Sequence, residues 1–214
     1  MNTFSPSESI KYGWETFKKR PWFFVGIALV IFVVSAIGNM FSPGHGKDMY
    51  GVVALAGFLI STAISILVDM GGINVTLKAH ENVDTVEFKD LWHPQTFWKY
   101  LGAGILTGLC VLAGLILLII PGIIVGLMLM FVKYLVIERN LSPVAALKES
   151  NRITKGHKWP LLGLLAMVIL LNLIGALLIG VGLLVSVPVT MLALVHAYRT
   201  LERQASEIAP ATSA

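Results

Sequence analysis

The sequence predicts an all-helical polytopic membrane protein with six spans arranged as three hairpins. Three observations predict it. The first is composition: 56% of the 214 residues are hydrophobic and 13% are charged, where soluble domains carry about 25% charged residues. Mean hydropathy is +0.81, so lipid is the solvent for most of the surface. The second is apolar run length: six runs occupy 22–41, 50–77, 100–120, 121–137, 159–180 and 183–198, and about 20 residues at about 1.5 Å each cross the roughly 30 Å hydrocarbon core. The third is charge placement, taken up once the elements are in order.

Residues 5–20 read as a helix. Ser5 can cap it, Pro6 suits the first turn, and Glu8 stands where a capping box needs an acid. Ile10, Trp14 and Phe17 recur at helical spacing. The segment is too short and too charged to span, so it is expected in the interface with Trp14 at headgroup depth; a solvated cap helix is the alternative. No cleavable signal peptide is expected, because the first apolar run is of full span length and no A-x-A site follows it.

Span one is followed by Ser42-Pro43-Gly44-His45-Gly46, a turn signal. Span two meets Asp69, Gly71, Gly72 and Asn74 before Lys78. The polar segment 79–98 is aromatic-rich toward its end and is interrupted by Pro94. Between spans three and four there is no polar loop, so Pro121-Gly122 is expected to make the reversal. A short charged helix opening at Ser142-Pro143 leads into span five. Gly180-Val181-Gly182 marks the next reversal, Pro188 is expected to kink span six, and the tail 203–214 is expected to be disordered.

With six spans, both termini share a side. All of the 16 Lys and Arg except Lys47 then fall on that side, and the positive-inside rule makes it cytoplasmic. A wrong span count would scatter the basic residues. The expected location is the bacterial cytoplasmic (inner) membrane.

An offset of 137 residues places Ser5-Pro6 on Ser142-Pro143, Lys18 on Lys155 and Trp22 on Trp159. This suggests three modules, each a cytoplasmic interfacial helix followed by a two-span hairpin. Shared constraint on any basic helix ahead of a span is the alternative origin.

The segment from Pro121-Gly122-Ile123 through Tyr134, then S-P-x-x-A-L-K-E-S and T-K-G-H-K-W up to Trp159, resembles two groups. One is the membrane domain attached to bacterial glycerophosphodiester phosphodiesterases; the other is the stand-alone YciC-like inner-membrane proteins. The resemblance implies a six-span inner-membrane protein without catalysis of its own, since in the fused enzymes the chemistry belongs to a separate soluble barrel.

The residues themselves suggest two candidate sites. Asp69, Lys133 and His196 fall within apolar runs, where a charge costs about 2.5–3.5 kcal/mol on insertion scales. An Asp69–Lys133 pair would reduce that cost and could line a polar cavity or proton relay. Alternatively, Lys133 snorkels and Asp69 sits near the headgroups. Lys148, Arg152 and Lys155, spaced i, i+4, i+7, would share one helix face toward anionic phospholipid headgroups, or serve only as a general positive-inside anchor. Gly104/Gly108 and Gly122/Gly126 are two GxxxG pairs, expected to pack within the monomer. The lone Cys110 forms no intramolecular disulfide, His80, Glu81 and His93 lack metal-ligand spacing, and no nucleophile–base arrangement is evident. No cofactor and no nucleic acid is expected. The expected role is a non-enzymatic scaffold or lipid-interacting module whose partners are the bilayer, anionic headgroups and a second copy or another membrane protein. The alternative is a small-molecule or lipid transporter.

Overall fold

A computed structural model describes residues 4–40, 51–178 and 180–208. Nine α-helices occur among them: α1 (Pro6–Lys19), α2 (Pro21–Met40), α3 (Gly51–Glu81), α4 (Phe97–Leu117), α5 (Ile119–Met128), α6 (Val132–Arg139), α7 (Pro143–Thr154), α8 (Lys158–Leu177) and α9 (Leu183–Ile208). Three 3-10 turns, Val83–Thr85, Phe88–Leu91 and Pro94–Thr96, join α3 to α4. No strand occurs among the described residues. Five helical stretches are long and apolar enough to cross a membrane, and the number rises to six if α1 and α2, bent by 102° to each other, count together as one span. The turn expected at 42–46 and Lys47 lie outside the described residues.

Several expectations are corrected. Between α3 and α4, residues 82–96 hold three 3-10 turns rather than the interfacial helix expected of a middle module, because Pro94 and the side chains of Asn82 and Asp90 direct the backbone. Asn82 accepts from the Asp84 N–H at 3.0 Å, and Asp90 accepts from the Glu87 N–H at 2.9 Å. The reversal before span four falls at Leu118, which is extended, and not at Pro121-Gly122. Pro121 instead occupies the first turn of α5, where its missing N–H costs nothing. Gly122 lies against Gly114, where an added Cβ would come within 2.9 Å of Leu115 backbone. Span four is not continuous: α5 and α6 are separated by a turn at Leu129–Phe131. Span six outruns its expected end, α9 remaining helical through Arg203 to Ile208 with Pro188 inside it. The capping box at Ser5 does not form; the Ser5 hydroxyl meets the Ser7 hydroxyl at 2.9 Å instead.

Other expectations match. Gly180 has a φ of +75°, and Gly175 packs on Gly182 so closely that a Cβ on Gly182 would lie 2.6 Å from the Gly175 carbonyl oxygen. Ser142 caps α7 by accepting from the Ala145 N–H.

Packing is uneven along the bundle. At 31 residues, α3 is about 46 Å long, so it outruns the roughly 30 Å hydrocarbon core. At the end carrying α1, α7 and the C-terminal parts of α3, α6 and α9, the buried side chains are large: Phe131, Leu135, Ile153, Tyr198 and Leu201 are all at 0–1% exposure. We call this the basic end. α1 docks on α9 through Gly13, where a Cβ would lie 2.3 Å from the Val189 carbonyl oxygen. At the opposite, apolar end, residues 116–120 are 69–78% exposed and Val181 is 67% exposed. That end turns its side chains outward, as lipid solvation permits.

Candidate functional site: polar clusters of the basic end

Three polar clusters are built on this frame. The first joins α3, α4 and α6. Lys133 forms an ion pair with Asp69, and the Tyr100 hydroxyl donates to the same carboxylate oxygen at 2.6 Å. The Lys133 ammonium also lies 5.2 Å from the Tyr100 ring centroid. Both charged side chains are nearly half exposed. Tyr100 is buried and fixes the pair from the α4 side. Lys133 therefore meets a carboxylate rather than snorkelling away alone. His196 does not join them. It stacks on Tyr12 at 4.3 Å and faces His80 at 5.7 Å. His80 follows Asp69 by eleven residues on α3, about 16 Å of helix, and this separation removes His196 from the expected trio.

The second cluster is one that sequence reasoning misses. Arg199 pairs with Glu138, with Glu81 at 2.8 Å and with Glu202 at 3.6 Å. Arg139 pairs with Glu202 and reaches Glu149 at 3.4 Å. The Tyr198 hydroxyl, fully buried, donates to Glu138 at 2.6 Å. These contacts tie α3, α6, α7 and α9 together at one level. Positive-inside counting treats the same arginines as free cations. The signal available is that Glu138-Arg139 and Arg199/Glu202 terminate apolar runs with both signs present, which a lipid-facing basic belt does not require.

The third cluster closes the break in span four. Ser150 of α7 donates to the Met128 carbonyl at 2.8 Å and accepts from the Phe131 N–H at 3.3 Å. Thr154 donates to the Met128 carbonyl at 3.2 Å and to the Ser150 carbonyl at 2.8 Å. Ser150 and Thr154 are both at 0% exposure. Backbone groups freed at membrane depth must find partners in the protein, and α7 supplies them. It is a packed plug on that face, with Ala146 and Ile153 also buried.

The basic face expected on α7 is altered accordingly. Lys148, Arg152 and Lys155 are all exposed. Arg152, however, makes a two-pronged contact to Glu149 at 2.7 and 2.8 Å and donates to the Ala205 carbonyl at 3.1 Å. That hydrogen bond holds the Glu149 carboxyl below its ordinary range. Lys155 is the C-cap, beyond the last helical residue Thr154. Among the described residues, Lys148 and Lys155 make no ion pair.

Asn74 serves the fold: its amide donates to the Asp90 carbonyl at 2.8 Å, while Lys78 pairs with Asp90 at 2.5 Å. Gly104, Gly108 and Gly126 have open space where a Cβ would stand, so these members of the GxxxG pairs are not packed against another helix of the monomer. Among the described residues no three His, Cys, Asp or Glu side chains gather as a metal-holding group.

No curated protein and no solved structure matches this chain. The family model that does match covers α4 to α9, including the Ser-Pro helix and the Trp159 motif, and its description names neither of the two groups that the motifs resemble. By that match over residues 92–209, more than half its length, the chain belongs to the family described as a domain of unknown function, DUF7847.

Proposed function

We propose that this protein is a non-enzymatic, lipid-interacting scaffold of the bacterial inner membrane. Its six spans form three hairpins with both termini cytoplasmic, and it is akin to the membrane domain of glycerophosphodiester phosphodiesterases and to YciC-like proteins. One observation carries the reading. Arg139, Arg152 and Arg199 are used up in internal ion pairs, while Lys148 and Lys155 stand outward with no carboxylate partner among the described residues. Trp22, Trp98 and Trp159, each at the start of a span, are 80–86% exposed and supply a headgroup-level belt around that end. A cation held near an anionic leaflet contributes about 1 kcal/mol. Two unpaired lysines are therefore worth more to a phosphatidylglycerol surface than three arginines already neutralised.

The test is phosphatidylglycerol retention by native mass spectrometry of the detergent-purified chain. K148E with K155E should lower retention by at least about tenfold and leave the thermal midpoint unchanged. R152E should instead lower the midpoint, because it places two acids together. Retention indifferent to both lysines would overturn the reading.

A second reading, a small transporter, is favoured by one feature. The discontinuous span four lies beside Asp69–Lys133, and broken helices beside paired charges line substrate paths in many transporters. Solute flux in proteoliposomes that disappears in Asp69→Asn would move the assignment there.

A further inference from the structure

We infer that the groove between α2 and α3 is a seat for one phospholipid of the leaflet facing the basic end, with an acyl chain in the groove and the phosphate on Arg20. Val30 and Val34 form one wall, Ile64 and Leu67 the other, and Leu91 with Trp92 the floor, around a volume of ≈ 440 Å³. The floor is fixed to α3 from three directions. Gly71 lets the Leu91 carbonyl approach to where a Cβ would be 2.2 Å away, and Asn74 and Lys78 hold Asp90. Phe88 closes the mouth against Gly26, where a Cβ would lie 3.2 Å from the ring.

Length and lining suit a lipid tail. From the Phe88–Gly26 contact to Val34 the path runs about 12 Å along α2, most of one leaflet of a roughly 30 Å core, and the side chains that line it are aliphatic or aromatic throughout.

Charge decides the headgroup. Beyond the mouth, the Arg20 guanidinium lies 4.3 Å from the Phe23 ring centroid, and Phe23 is 5.0 Å from Phe88. One Arg20 nitrogen donates to the carbonyls of Val83, Asp84 and Val86 at 2.9, 3.3 and 3.0 Å. All three partners are neutral, so the positive charge is uncompensated by any ion pair among the described residues. Nearby, Lys89 pairs with Glu87 at 2.8 Å and Lys78 with Asp90, while Arg20 and Asp84 make no ion pair among the described residues. A guanidinium without a carboxylate partner beside an apolar groove is the complement of a phosphodiester carrying a chain. The groove on the other side of α2, ≈ 560 Å³ and lined by Phe32, Val181 and Leu184, lies toward the apolar end, away from Arg20.

The inference rests on the membrane reading above but not on the two lysines. The full chain is placed in nanodiscs of phosphatidylethanolamine and phosphatidylglycerol, doped with phosphatidylethanolamine bearing a mid-chain diazirine. After irradiation, adducts should concentrate at 30–34 and 64–68. Ile64→Trp, or Val34→Phe should the first variant not fold, should reduce them to the level found on exposed Ile105 and Leu109 of α4, whose own labelling stays constant and reports an intact fold. Arg20→Gln should lower groove labelling about fivefold, the scale of one lost surface charge, and Arg20→Lys should lower it less. Labelling that follows exposure alone, or that survives groove filling, overturns the proposal, as do crosslinks between copies at 30–34. Groove labelling lost while phosphatidylglycerol retention persists condemns the variant's site alone and supports this seat; retention lost in K148E/K155E with groove labelling intact leaves the seat standing without the lysine surface.

Discussion

Ser150 holds both sides of the break in span four with a single hydroxyl. Replacing it by alanine leaves the Met128 carbonyl with only the longer Thr154 contact and the Phe131 N–H without its partner, in a region sealed from water. An unsatisfied buried backbone group costs about 1–3 kcal/mol, so Ser150→Ala should lower the thermal midpoint in detergent by several degrees. Thr154→Val should do less, because Met128 keeps the 2.8 Å bond from Ser150, and the double variant should lose more than the two single losses added together. An unchanged midpoint in Ser150→Ala would mean the break satisfies itself. The two residue-scale findings differ in how readable they are. Asp69 and Lys133 announce themselves because a charge in an apolar run needs a partner. Ser150 gives no such signal, since a serine on an amphipathic helix resembles any solvated one until the break it serves is known. Arg152 misleads in the other direction: its spacing from Lys148 is right for a lipid face, but Glu149 stands one turn away and takes the charge.

At the scale of elements, span lengths are legible in the sequence and interruptions are not. Apolar length alone places α4, α8 and the start of α9, because lipid penalises anything shorter or more polar. The break at Leu129–Phe131 contains no proline or glycine, so nothing local marks it; it exists because α7 offers tertiary partners. Pro121 is the converse case, a strong local signal displaced by three residues because its ring is tolerated in a first turn. The α7 contact also carries a pH dependence. Glu149 is held below its ordinary pKa of 4.5 chiefly by the hydrogen bond from Arg152. A depressed carboxyl contributes stability that is fully present above its unfolded value and is lost as pH falls through the folded value. Hydrogen exchange of the α7 amides should therefore be slow and flat from pH 7 down to about 5, after correction for intrinsic rates, and should quicken below about 4.5. Glu149→Gln should exchange faster at neutral pH and lose the acid step. An acid step that survives in Glu149→Gln would assign it to Glu138 or Glu202, carboxylates paired with Arg199 and Arg139.

For the whole molecule, the distributions of packing and of charge pick out the same two ends by independent routes. The basic end is built like the core of a soluble protein, with Tyr198, Phe131 and Leu135 fully buried, which is the packing needed where water competes for backbone groups. The apolar end leaves 116–120 largely exposed, which only lipid tolerates. Charge counting alone reaches the same two ends, although it misjudges what most of the arginines do once there. Inverting the protein would carry nearly all its cations across the bilayer, against the bias that sets topology. Alkaline phosphatase fused after Gly122 or after Val181 should therefore be exported and active, and a fusion at Asn151 should be inactive. The Asn151 site is the discriminating one. Despite the turn between α5 and α6, Ile119–Arg139 runs on as one stretch long enough to cross; a re-entrant span four that folds back to its starting side is the rival topology, and it would return 140–158 to the exported face. Activity at Asn151 together with activity at Gly122 would establish that rival. It would also place Lys148 and Lys155 opposite the anionic leaflet that the lipid-scaffold reading requires.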